Sequence, residues 1–146
     1  MAGRYLDEDH RVIRQVPHRC QVRDVESGEL LGMSYNAFTL DGHEYLSVAW
    51  PEYFDEDPTT QCMNAIAQLR IARSDKKSTA YWIARISDIR IAMDGHRFRA
   101  ISEPDGQFTS HAALRNWAKD EGLLERLAAE SLALAQVLLS KDIPTS

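Results

Sequence analysis

The chain has 146 residues, 44% of them hydrophobic and 27% charged, with a net charge of −5. That balance sets aside a disordered chain, and the length lets a single domain over 1–146 bury a core without disulfide staples. A sequence pI near 5.5 disfavours nucleic acid as a partner.

In chain order, the opening "MAGRYLDEDH" has no apolar stretch, so it predicts no secretory leader. Residues of about 1–9 and 141–146 are expected to fray. The alternating runs "RVIRQV" (11–16) and "CQVRDV" (20–25) predict strands, and "ESGE" a turn before the run 30–40. Asp41-Gly42 then predicts a hairpin into "HEYLSVAW", with Leu46, Val48 and Trp50 on one face and Tyr45, Ser47 and Ala49 on the other. Pro51 ends that strand, and the acidic "PEYFDEDP" follows as a loop. Asp57 as N-cap and Pro58 at the first helical position predict a helix to about Arg73, with Cys62, Ala65, Ile66, Leu69 and Ala72 on its apolar face.

"TAYWIARISDIRIAM" (79–93) predicts a long strand, returned by an Asp94-Gly95 turn as "HRFRAIS". Its apolar parity shifts between Ile86 and Ile89, which predicts a bulge near Ser87-Asp88. From Ser110 the sequence predicts helix, interrupted near Gly122, with an apolar stripe at Leu124, Leu127, Ala128, Ser131, Leu134, Ala135 and Leu138, Ser131 being its one small polar exception. The expected fold is therefore α+β: an antiparallel sheet, made of an N-terminal meander plus the hairpin, with a central helix and one or two C-terminal helices on one face. The uncharged "SLALAQVLLS" is far too short to span a bilayer.

Charge is polarised along the chain. Nine acids and no Lys or Arg lie between Asp24 and Leu69, whereas eight bases face three acids between Arg70 and Arg99. Under the predicted hairpin register Arg90, Arg97 and Arg99 share the outer face, with Arg85 joining through the bulge, while Ile89, Ile91, Met93 and Phe98 face the core. Two explanations follow. Asp88, Glu103 or the acidic 24–57 segment neutralises this face internally, or it meets an acidic protein, a phosphate or a nucleic acid.

The five histidines have no metal-ligand spacing, so no metal site is expected, and no cofactor motif is present. His111 stands out because it follows Ser110 at a predicted helix start, where an anion is favoured. It is a candidate base beside arginines that hold a phosphate. Cys62 is expected to be a buried structural thiol. Trp50, Tyr53 and Phe54 lie at the sheet rim, where they plug the core or anchor a partner. Cys20 and Cys62 form no disulfide framework, which makes a reducing cytosol the default compartment.

The run "YLSVAWPEYF", then "AQLRIA", "AYWIARISDIR" and "EPDGQFTSHAAL", resembles small uncharacterised bacterial proteins to which no function is attached. The matching residues are Leu46-Ser47-Val48, Trp50, Glu52-Tyr53-Phe54 and Ser110-His111-Ala112; Ser102 stands where those proteins often have histidine. The resemblance spans about residues 45–113 and implies a bacterial cytosolic origin.

Two functions are consistent with these features. The first is a non-enzymatic, immunity-type or regulatory module that binds a protein, or a second copy of itself, through the basic hairpin face and the acidic rim loop. The second is a small phosphate-directed enzyme, or an anion or nucleotide binder, using His111 with Arg90, Arg97 and Arg99.

Overall fold

The computed structural model describes residues 3–144. Their elements are β1 (Arg4–Tyr5), β2 (Arg11–Val16), β3 (Gln21–Arg23), β4 (Leu30–Met33), β5 (Tyr45–Ala49), α1 (Pro58–Ala72), β6 (Ala80–Arg85), α2 (Ile86–Ala92), β7 (Arg99–Ser102), β8 (His111–Arg115), α3 (Glu121–Ala129) and β9 (Ala135–Leu139). The protein is α+β. Seven strands form an antiparallel sheet in the order β1-β7-β8-β5-β2-β6-β9, and β3 and β4 form a separate small hairpin.

The layering follows from β6, in which Ala80 through Ala84 are all buried. A strand buried on both faces needs cover on both. α1 supplies it on one side, packing Cys62, Ala65, Ile66 and Leu69 against Ile13, Ala49, Tyr81 and Ile83. On the other side α2, α3 and the Tyr35–Phe38 turn cover Val12, Val48, Trp82 and Leu114. The expectation of helices on one face is thus corrected.

α1 forms where its signals lie. The Asp57 carboxylate accepts from the Thr60 backbone N–H at 3.2 Å, and Pro58 takes the first helical position. Ala72, expected on its apolar face, is exposed. In β5 the predicted faces hold, with Leu46, Val48 and Trp50 in the larger core. The Asp41-Gly42 turn exists, both residues having positive φ, but it joins no hairpin, because β5 pairs with β8 and β2 instead of β4. The run 30–40 keeps only β4 as strand.

The predicted Asp94-Gly95 hairpin is absent. Ile86–Ala92 is helix, and the pair ends it as a Schellman cap: Asp94 at φ 57° occupies the left-handed position, and the Gly95 N–H donates to the Arg90 carbonyl at 2.9 Å. The bulge near Ser87-Asp88 is therefore the first turn of α2. Phe98 is buried as expected, but Ile91 is 76% exposed.

The C-terminal third is also corrected. His111–Arg115 is a strand, Asp120 caps α3, and "AQVLL" is the edge strand β9. Leu124 and Leu127 are buried as the stripe requires, while Leu134 lies beyond the helix and is partly buried. Of the ends expected to fray, β1 pairs with β7 and Leu6 and Ile143 are buried; residues 1–2 and 145–146 lie outside the described residues. No helix among the described residues is long and apolar enough to cross a membrane.

Candidate functional site: a cationic cleft at the split in the sheet

β2 and β5 are neighbours through a single residue pair, Ile13↔Ala49, whereas β2 pairs with β6 over six residues and β5 with β8 over five. Beyond Ile13 the two strands part, and Arg14 bridges them. Its Nε donates to the Ala37 carbonyl at 3.1 Å and its Nη1 to the Ser47 carbonyl at 2.9 Å. Nη2 has no partner among the described residues.

The split opens into a cleft of about 620 Å³. Arg14 and Gln15 come from β2, His18 and Arg19 from the turn after it, Ser47 from β5, Leu69 from α1, and Arg73 and Lys76 from the segment just after α1. A second hollow of about 160 Å³ shares Arg14, Asp41, Ser47 and Arg73 and adds His43 and Tyr45. Four cationic side chains thus face the lone carboxylate of Asp41. None of the four forms an ion pair among the described residues, whereas Arg11, Arg70, Arg90 and Arg115 each have a carboxylate partner.

Burial pushes the Arg14 guanidinium down to about 10, and the nearby charge of Arg73 acts in the same direction. Asp41 opposes both. Arg14 remains a cation at neutral pH, part-buried and with no carboxylate bonded to it. A phosphate or carboxylate on Nη2 would supply the missing counter-charge in forked geometry.

The residues singled out in the sequence are dispersed. Arg85 is exposed and donates to the Asp9 carbonyl at 2.8 Å. Arg90 points back along α2. It grips both carboxylate oxygens of Glu8 at 2.8 and 2.9 Å, donates to the carbonyls of His96 and Phe98, and lies 4.3 Å from the Phe98 ring centroid. Arg97 and Arg99 are exposed and line a shallow groove with Arg90 and Glu8. Arg90 is thus neutralised by Glu8, not by Asp88, Glu103 or the acidic segment. Trp50 is buried, touching His10 and Tyr53, and so plugs the core; Tyr53 is 43% exposed and Phe54 partly buried.

His111 is not at a helix start, so the dipole expectation falls. It is a buried strand residue, and the groove of Arg90, Arg97 and Arg99 does not include it. Its Nδ1 lies 2.6 Å from the Glu103 carbonyl and its Nε2 2.9 Å from Ser47 Oγ. Cys62 is buried as expected; burial pushes its thiol up although Arg11 sits beside it. Asp7, Asp9 and His10 cluster closely enough to hold a cation, but His10 Nδ1 already accepts from the Asp7 backbone N–H.

The cleft was missed because its residues are far apart in sequence and each has an ordinary local explanation. Arg73 and Lys76 read as bases favoured at a helix C-terminus. The available signal was Arg14, a charge between Val12 and Val16 on the inward face of β2.

Comparison with protein-family models, with curated proteins and with solved structures gives no match for this chain.

Proposed function

We propose that this protein binds a small anionic ligand, one that presents a phosphate or carboxylate, in the cleft around Arg14. The observation that carries this reading is Arg14 itself: a part-buried guanidinium with no carboxylate partner and an unoccupied N–H, lining one cleft with Arg19, Arg73 and Lys76. Partly desolvated cations gain from a paired anion, and a cleft lined by one sign of charge concentrates the opposite sign. The bacterial cytosolic setting implied by the resemblance belongs to the same proposal. Two free, buried cysteines support it.

The test is thermal unfolding in increasing inorganic phosphate, with chloride matched for ionic strength. Wild type is expected to gain stability with the logarithm of phosphate concentration above the dissociation constant, by about 2.7 kcal/mol at a hundred times that constant. Arg14→Met and Arg73→Ala are expected to lose most of that gain. Equal gains in wild type and both variants would overturn the proposal.

Docking of an acidic protein keeps one observation in its favour, the exposed Arg97 and Arg99 flanking a groove. If they dock a partner, Arg97→Ala and Arg99→Ala should slow association most strongly at low salt, and Arg14→Met should not.

A further inference from the structure

We infer that Ser47 is a nucleophile activated by His111, and that the protein cleaves carboxylic esters carrying a negatively charged group. This rests on the anion-binding reading of the cleft.

The tautomer follows from the partners. The Glu103 carbonyl can only accept, so His111 Nδ1 carries the hydrogen bonded to it at 2.6 Å. In the neutral ring Nε2 is then the acceptor, and the Ser47 hydroxyl, 2.9 Å away, donates to it. Nucleophile, base and orienting group thus stand in hydrogen-bonded sequence, with a main-chain carbonyl as the third member.

Several contacts hold this alignment. β5 and β8 pair Ala49 with His111 and Ser47 with Ala113, which places serine and imidazole diagonally on the same face. Tyr45 and Phe108 meet the imidazole edge-on, with centroids at 5.9 and 5.0 Å. Glu103, whose carbonyl sets the tautomer, is held through both carboxylate oxygens by Arg115.

A serine that merely satisfied a buried histidine would have no reason to face a ligand site. Ser47, however, is partly exposed and lines the cationic cleft, and its own carbonyl receives Arg14 Nη1 at 2.9 Å. Arg14 and Ser47 line the same cleft, so the free Nη2 of Arg14 is an available N–H donor for an oxyanion formed there. Arg73 and Lys76 would hold the anionic end of the substrate.

The chemistry balances with water alone. Ser47 Oγ bonds to the ester carbonyl carbon as its proton passes to His111 Nε2. The carbon–oxygen bond to the alcohol breaks, and the alcohol leaves with that proton. Water then attacks the acyl-serine, gives a proton to Nε2 and releases the acid; Nε2 returns the proton to Ser47. Ester and water become acid and alcohol.

The experiment uses the full chain with 4-nitrophenyl hydrogen succinate and, as the neutral control, 4-nitrophenyl acetate. The anionic ester is expected to be cleaved faster, with loss of about 100-fold or more in Ser47→Ala and His111→Gln. A fluorophosphonate probe on wild type, located by peptide mass spectrometry, is expected to mark Ser47 and needs no variant to fold. No adduct at Ser47, or wild-type rates in Ser47→Ala, would overturn the inference. A Ser47 adduct with equal rates on both esters would overturn the substrate class. Phosphate stabilisation, measured on the same samples, separates the two levels. If it is present without reactivity, only this inference fails. If both are absent, the anion-binding reading fails with it.

Discussion

Arg14 and Arg90 carry the same guanidinium in opposite circumstances. Arg90 is satisfied by the Glu8 carboxylate, two carbonyls and the face of Phe98, while Arg14 has two carbonyls and no anion. The paired carboxylates leave a pH signature. Hydrogen bonds from Arg90 and Arg115 hold Glu8 and Glu103 below their ordinary 4.5. A carboxylate with a lowered folded-state pKa contributes stability above its unfolded value, and that contribution is lost as pH falls through the lowered value. Glu103→Gln is therefore expected to lower the denaturant midpoint at neutral pH and to converge with wild type as pH falls from the ordinary carboxylate range through the lowered Glu103 value. Parallel midpoint curves across that range would show that the Glu103–Arg115 pair contributes nothing to folding.

At the scale of elements, α1 was legible because local signals and burial agree: an N-cap, a proline at the first position and a 3–4 residue spacing of buried side chains. α2 was not, although its pattern was in view. Ile86, Ile89 and Met93 stand three and four residues apart, the spacing of a helical face, and all three are fully buried. Strong β-propensity in "IRIAM" masked that period, and Asp-Gly suits a hairpin turn and a helix cap equally, since both need positive φ. Two variants discriminate. Ile89→Ala is expected to cost about 2–5 kcal/mol, and Ile91→Ala to stay within roughly 0.5 kcal/mol. In a hairpin both would sit on the core face, so comparable losses by denaturant unfolding would contradict the helix. β8 and β9 were missed because "HAALR" and "AQVLL" favour helix locally, and sheet pairing overrides that preference. The apolar stripe thus splits at Ser131, whose hydroxyl accepts from the Met33 N–H and whose carbonyl accepts from Trp82 Nε1. Leu127→Ala is accordingly expected to cost about 2–5 kcal/mol, and Leu134→Ala distinctly less, in the same unfolding measurement.

Over the whole molecule, the charge asymmetry is not resolved by pairing the two segments. Among the described residues, Glu52 pairs with Arg11, Asp75 with Arg70 and Glu8 with Arg90, and no ion pair joins the acidic 24–69 stretch to the basic 70–99 stretch. Arg73 and Lys76 from the basic stretch converge instead with Arg14 and Arg19 on one cleft. Sequence alone could flag these bases but not assemble them, because the assembly depends on where β2 and β5 part. The same holds for Ser47 and His111, 64 residues apart and brought together only by the β5–β8 register. The most direct measurement is a phosphate titration followed by NMR on labelled protein, observing arginine Nε–H and backbone amide signals. The Arg14 and Arg73 Nε–H signals and the Ser47 amide are expected to move along one saturating curve that weakens with added salt. Shifts confined to Arg97 and Arg99, or drifting without saturation over the whole surface, would contradict a ligand site at the cleft.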